Sequence, residues 1–311
     1  MQSFEYQQVY SLQEALDAAS ASKGASAFLA GGTDLLVQIK EGKRQPRRVI
    51  DVKGIQEVDG LILSGDELSI GALTSIRTLE TSPSVLEKVP LLAQAAAKLG
   101  SVQIRHRATI GGNLCNASPS ADMAPALLAL EAQAEICGKA GLRVVDLDKF
   151  FLGPGATVLG DQEILARVRI PLTRKRRGSV YYKLSTRKAM DLAFVGVAVL
   201  LELDGGGRIS KARIALGAVA PTPLRTVSAE KRLEGRMLSL EAARESGELA
   251  ARSCNPISDL RASAEYRREM VRELCQQGLL AAYRQAKSYA AEKNPSGALP
   301  SHLTDSVARS G

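Results

Sequence analysis

The chain has no tryptophan, seven tyrosines, five phenylalanines, four cysteines and two histidines among its 311 residues. So few rings supply no stacking platform for bases, and the net charge of +8 therefore does not by itself point to nucleic acid. The obvious basic cluster, Arg174-Lys175-Arg176-Arg177, stands between Pro171-Leu172-Thr173 and Gly178-Ser179 and reads as a solvated inter-domain linker. Cys115, Cys137, Cys254 and Cys275 are 22, 117 and 21 positions apart, too far for a short-spaced metal or iron–sulfur ligand set. They read as free thiols, and Cys115 as a small packing residue. His106 and His302 are too isolated for a histidine metal site or a Ser/His/Asp triad, and His106, between Arg105 and Arg107, reads as a surface or loop residue. Apolar stretches such as 194–203 and 124–130 fall well short of the roughly 20 residues of a membrane span. The first six residues lack the basic-then-apolar order of a secretory signal, so a cytoplasmic chain is expected.

What the chain does have is glycine in pairs. Ala30-Gly31-Gly32-Thr33-Asp34 and Thr109-Ile110-Gly111-Gly112-Asn113 each follow an apolar segment. Without a Cβ, backbone can approach a ligand closely and aim N–H groups at an anion, so two such turns can line one diphosphate from both sides. Neither fits a P-loop or a Gly-x-Gly-x-x-Gly dinucleotide turn. A lone Gly-Gly is more often a tight turn than a site. The second pair opens a long polar stretch, 111–122, between apolar segments, and such a loop calls for something to order it.

A hydrophobic content of 45% over this length suits two or three small domains. Residues 4–57 read as strand, helix, strand, helix, strand, with Thr33-Asp34 capping the second helix. Hairpins are expected at 61–70 and 134–145, helices at 74–80, 85–99 and 123–130, and a strand at 163–170. Strands at 179–183, 194–203 and 209–218 precede helices at 229–233, 240–251 and 264–286, an α+β order. The boundaries read as 1–57, 58–173 and 178–288, with a mobile tail over 289–311.

The run AGGTDLL, followed by RATIGGNLCNASPSADMAPALLAL, resembles the FAD-binding (medium) subunit of the molybdenum hydroxylases, the family of xanthine dehydrogenase, carbon monoxide dehydrogenase and aldehyde oxidoreductases. Phe151-Leu152-Gly153-Pro154-Gly155 with Thr157-Val158-Leu159 and Glu163-Ile164-Leu165 is similar to the segment that nears the flavin ring. Tyr182-Lys183-Leu184-Ser185-Thr186-Arg187-Lys188-Ala189-Met190-Asp191 resembles a second flavin-side loop. Ala215-Leu216-Gly217-Ala218-Val219-Ala220-Pro221-Thr222-Pro223 and Ser263-Ala264-Glu265-Tyr266-Arg267 match the family's C-terminal domain. The likeness spans residues 1–288 in order.

The resemblance implies an α+β fold: a two-part FAD-binding domain of the vanillyl-alcohol oxidase or PCMH-like type, then a C-terminal domain with an antiparallel sheet and helices. It implies that Phe28, Leu29, Ala30, Gly31, Gly32, Thr33, Asp34 and Leu35, with Thr109, Ile110, Gly111, Gly112 and Asn113, hold the FAD diphosphate. Asp122 and Ser118 would meet flavin-side hydroxyls, Leu159 would pack on the ring, and Lys183 and Asp191 would come from the loop beside it, the lysine favouring negative charge on the ring. Some relatives set an aromatic residue against the ring at positions that align with Leu99 or Leu192, both leucine here, a departure that bears on flavin potential and acceptor preference. The implied function is electron transfer from [2Fe-2S] clusters on a small partner, fed by a molybdopterin-binding large partner, through FAD to NAD, a quinone or another acceptor. One alternative is a self-sufficient FAD-dependent oxidoreductase of the same fold, which needs an acid or base near the ring. Another is a basic interaction module in which the glycine turns are purely structural.

Overall fold

The computed structural model describes residues 3–22, 24–173 and 176–293. Strands β1 (Glu5–Gln8), β2 (Ser26–Leu29) and β3 (Arg48–Asp51) form a parallel sheet of order β1-β3-β2, crossed over by α1 (Leu12–Ala21) and α2 (Leu35–Lys40). Ser11 starts α1 by accepting the Glu14 N–H, and Ala15, Leu16, Ala18 and Ala19 form its buried face. The central strand is the most buried, with Val49 and Ile50 inaccessible to solvent.

The next unit opens with the hairpin β4 (Leu61–Ser64) and β5 (Glu67–Gly71). Six short helices follow: α3 (Ile76–Thr81), α4 (Pro83–Lys88), α5 (Pro90–Lys98), α6 (Val102–Arg107), α7 (Ile110–Cys115) and α8 (Met123–Ala129). Then come β6 (Gln133–Gly138), β7 (Gly141–Asp146), the small pair β8 (Phe151–Gly153) and β9 (Ala156–Thr157), and β10 (Glu163–Pro171). The sheet is antiparallel with order β4-β5-β10-β6-β7. Two expectations are corrected here. The single helix over 85–99 is two helices, because Pro90 has no N–H to continue α4 and instead begins α5. The polar stretch after Thr109 is not all loop: Thr109 caps α7, and Ile110 and Leu114, four apart, bury one face of it.

The C-terminal unit is an antiparallel sheet of β11 (Arg176–Leu184), β12 (Val195–Leu203), β13 (Ile209–Gly217) and β14 (Leu224–Arg225), followed by α9 (Val227–Leu233), α10 (Leu240–Arg252) and α11 (Ala264–Lys293). All nine residues of β12 are buried, and their alternation shows why. Val197, Val199 and Leu201 enter the core beneath α10 and α11, while Ala198 and Leu200 enter the core shared with the helices of the preceding unit. Gly178 permits close contact with α11, since a Cβ there would stand 1.8 Å from the Ala282 carbonyl oxygen.

The basic cluster is also corrected. Arg176 and Arg177 begin β11, and Arg177 Nε lies 3.2 Å from Glu202 Oε1 on the paired strand, so this half of the cluster is sheet and not linker. Arg174 and Lys175 lie outside the described residues. Helix α11 runs to Lys293, beyond the expected end at 286, so the tail read from 289 begins helical; 294–311, with His302, lie outside the described residues. Glu131 ties the last two units together. It follows α8 with a left-handed φ of +54° and accepts from Lys211 and from Arg213 Nε (2.7 Å) on β13. Burial pushes its carboxyl up, but these two cations outweigh burial and leave it below the usual range.

Candidate functional site

A cleft of about 390 Å³ opens where the parallel unit meets α6, α7 and the segment before α8. One wall is the segment between β2 and α2. Gly31 packs so tightly on the end of α6 that a Cβ would fall 2.1 Å from the Arg107 carbonyl oxygen, and Gly32 turns with a φ of +78°. The backbone N–H groups of Gly32, Thr33 and Asp34 donate to no acceptor among the described residues. They are available to an anion in the cleft.

The opposite wall is built differently from the expectation. Ile110 N donates to Thr74 O (3.1 Å), Gly111 N to Ala72 O (2.9 Å) and Gly112 N to Thr109 Oγ1 (3.0 Å). The second glycine pair therefore offers a ligand no N–H group of its own. Gly111 is buried against Ala72, where a Cβ would come within 2.7 Å of a carbonyl oxygen. Gly112 instead faces the cleft with no side chain, beside the Thr109 hydroxyl and the Asn113 amide. Asn113 Oδ1 is buried without a hydrogen-bond partner among the described residues. A buried, unpaired amide oxygen is costly in a finished protein, so its position suits a bound polar group. Gln38 Nε2 donates to Asn116 Oδ1 at 2.9 Å and ties α2 to the end of α7.

The far end of the cleft is apolar with a charged backing. Leu99, Met190 and Leu192 line it together with Asp122 and Asp191. Asp122 accepts from Tyr181 OH (2.9 Å) and from Lys183 Nζ (2.7 Å), and Lys183 also donates to Lys98 O (3.0 Å). Burial holds the Asp122 carboxyl above its usual range despite Lys183 and Tyr181, which both pull it down. Burial and the neighbouring carboxylate push the Tyr181 phenol well up. Asp191 accepts the N–H groups of Arg187 (2.8 Å) and Leu192 (3.0 Å), which hold its carboxyl low. Cys115, on α7, has a thiol pushed up to about 12 by burial. It is a packing residue, not an activated thiolate.

Against this geometry, residues 2–173 match the family model described as the FAD binding domain in molybdopterin dehydrogenase, and residues 180–282 match the CO dehydrogenase flavoprotein C-terminal domain. The carbon monoxide dehydrogenase medium chain of Hydrogenophaga pseudoflava is 36% identical over 280 residues, 90% of this chain and 97% of that one. A putative xanthine dehydrogenase FAD-binding subunit of Escherichia coli is 35% identical over 249 residues, covering 79% and 85%. Among solved structures, that of the Hydrogenophaga carbon monoxide dehydrogenase lacking the Mo-pyranopterin moiety superposes with a TM-score of 0.89 at 36% identity, covering 91% of this chain and 98% of the other. Quinoline 2-oxidoreductase from Pseudomonas putida 86 superposes at 0.86 with 30% identity, covering 92% and 98%.

This chain belongs to the FAD-binding medium subunits of the molybdenum hydroxylases.

As a medium subunit it is an oxidoreductase component, and its residues fit the cofactor of its family: free N–H groups, a wall that a Cβ would fill, and an unpaired buried amide. Of the residues read from sequence, Phe28, 30–35, Thr109, Gly112, Asn113, Ser118, Asp122 and Asp191 come together around the cleft. Leu29, Ile110 and Gly111 do not; they are packed beneath it. Leu159 is also absent from the cleft, because its segment packs on the core of the middle unit and is held there by the Arg143 bond to Val158 O. Lys183 stands behind Asp122, its side chain 6% exposed, and meets the cleft through that carboxylate. Sequence reasoning missed Gln38, Arg44, Gly100, Asn116 and Met190. Gln38 was within reach, one helical turn after Asp34. Arg44 carried no signal, whereas Met190 stands in the run 182–191 already likened to a flavin-side loop, next to Asp191. No helix among the described residues is long and apolar enough to cross a membrane.

Proposed function

We propose that this medium subunit is the electron-transfer component of a heteromeric molybdenum hydroxylase, standing between [2Fe-2S] clusters on a small partner chain and an external acceptor such as NAD or a quinone. A large partner chain would carry the molybdopterin cofactor, and the complex would be cytoplasmic. Bound FAD supplies the chemistry that joins one-electron delivery to two-electron release.

The residues of this chain bind, orient and shield. The Gly32, Thr33 and Asp34 amides would donate to the diphosphate, and Thr109 Oγ1 and Asn113, beside the bare face of Gly112, would hold it from the facing wall. Leu99, Met190 and Leu192 would give the ring an apolar wall. Asp122, with both oxygens already held by Tyr181 and Lys183, keeps lone pairs for a hydroxyl of the ligand. Because Lys183 and Tyr181 fix that carboxylate, it is a poor candidate for a free acid or base, which weighs against a self-sufficient oxidoreductase.

The observation that carries this reading is the pair of facing walls, one with free amides and one with an orphaned amide oxygen. Its test is the absorption spectrum of the chain purified with its untagged partners, followed by analysis of released flavin and metals. Support is FAD on this chain with iron and molybdenum in the complex. A colourless chain that takes up no added FAD and holds no partner refutes it.

A further inference from the structure

We propose that Arg267 is a positioning residue for the loop that carries Met190, Asp191 and Leu192 into the cleft. This rests on the reading that the ring end of the cleft lies against that loop. The loop leaves β11 at Leu184 and closes where Phe194 N donates to Leu184 O at 3.0 Å. At its tip, Met190 has a left-handed φ of +52° and donates its N–H to Gly100 O at 3.1 Å. A side chain is held in that conformation only where the surroundings fix it. One fixing point is therefore the end of α5; the other is at the foot of the loop.

There Arg267, in the first turn of α11 and 3% exposed, reaches under the sheet. Its Nη1 donates to Phe194 O (3.3 Å) and to Ala218 O (3.1 Å). Ala218 also has a left-handed φ, +64°, and donates its own N–H to Pro119 O (2.7 Å), three residues before Asp122. One guanidinium thus joins the foot of the flavin-side loop to the turn that supports the Asp122 segment. Asp259 holds the guanidinium from behind, accepting from Nη2 at 2.8 Å while the same carboxylate caps the Arg261 and Ala262 amides. Phe194 and Tyr266 pack ring to ring beside it, with centroids 6.3 Å apart.

A merely space-filling residue here would be apolar. Instead the fold buries a cation whose Nε finds no partner among the described residues, a cost accepted where the remaining donors bridge several segments at once. A planar fork can reach two carbonyls and a carboxylate together, which an ammonium on a flexible stem does poorly. The role gives a purpose to the Ser263–Arg267 match, which the cofactor contacts leave unexplained.

The test uses the full chain without added flavin. Arg187 and Lys188, exposed in the loop, and Lys139, exposed in the β6–β7 turn, are tryptic sites in one molecule. Limited trypsinolysis of Arg267→Lys and Arg267→Gln should raise cleavage at 187–188 relative to Lys139 by about fivefold or more, as local opening replaces a held loop. With FAD added, the same variants should bind it more weakly and shift its visible absorption bands. An unchanged ratio, or parallel acceleration at both places, overturns the proposal. A raised ratio with unaltered flavin affinity and bands keeps the clamp but refutes its role at the ring end. Should both variants fail to fold, Asp259→Asn decides: it leaves the guanidinium in place and should raise the ratio about twofold, and no rise overturns the proposal.

Discussion

Replacing Gly112 with alanine separates a glycine kept for the fold from one kept for a ligand. In the folded chain a Cβ on Gly112 meets only Thr109 Oγ1, at 3.0 Å, and otherwise open space in the cleft. Gly112 lies inside α7, where alanine is favoured over glycine by about 1 kcal/mol, and that gain offsets a shift of the threonine hydroxyl by a few tenths of an ångström. Stability should stay within about 1 kcal/mol of the parent. The methyl group, however, pushes a ligand off the backbone. Loss of one charge-assisted hydrogen bond, about 1.5–3 kcal/mol, weakens FAD binding by about tenfold to a hundredfold. Gly111→Ala is the contrast: its Cβ would stand 2.7 Å from the Ala72 carbonyl oxygen and 2.8 Å from the Ala72 Cβ, so the fold itself should fail. Urea unfolding and flavin-fluorescence titration of both variants measure the two effects separately. A Gly112→Ala chain that binds FAD as tightly as the parent would refute the placement of the diphosphate against this wall.

Lys183→Met leaves Asp122 buried without its cation, both side chains being under a tenth exposed, and should cost about 3–5 kcal/mol in urea unfolding. Because the folded-state Asp122 carboxyl already lies above its ordinary value, its contribution to stability falls as pH rises through the window between the two; losing Lys183 raises it further, so the deficit should widen with pH and shrink when Asp122→Asn is added. A deficit independent of pH would count against the pair. Burial pushes the thiols of Cys115, Cys254 and Cys275 up to about 12, so in the folded chain at pH 8 all three should react with a disulfide reagent far more slowly than after denaturation, and a fast-reacting Cys115 would show an activated thiolate in the cleft.

The parts of the fold that were legible in sequence depend on local chemistry. The helical spacing that follows the first strand and the β12 run of alternating valines and leucines carry their structural meaning within a few residues. The break at Pro90 is just as local, a missing N–H in that residue alone, yet the reading of 85–99 as one helix passed over it. What escaped was set by partners far along the chain. The basic cluster looked solvated because its neutralising carboxylate, Glu202, stands on the next strand, 25 residues after Arg177. The second glycine pair looked like an amide cradle, yet the Gly111 N–H is taken by the Ala72 carbonyl nearly forty residues earlier, and the Gly112 N–H by the hydroxyl of Thr109, the residue that caps its helix. Lys183 looked like a direct contact, but Asp122, 61 residues away, comes between it and the cleft. In each case the residue types were read correctly and the error lay in assuming that a polar group without a local partner must meet solvent or ligand. The same reasoning, run in reverse, is what makes Asn113 informative. Its amide oxygen is buried, the surrounding fold is in place, and still none of the described residues meets it. A polar atom that long-range folding leaves unpaired is a stronger sign of a ligand than any pattern of glycines.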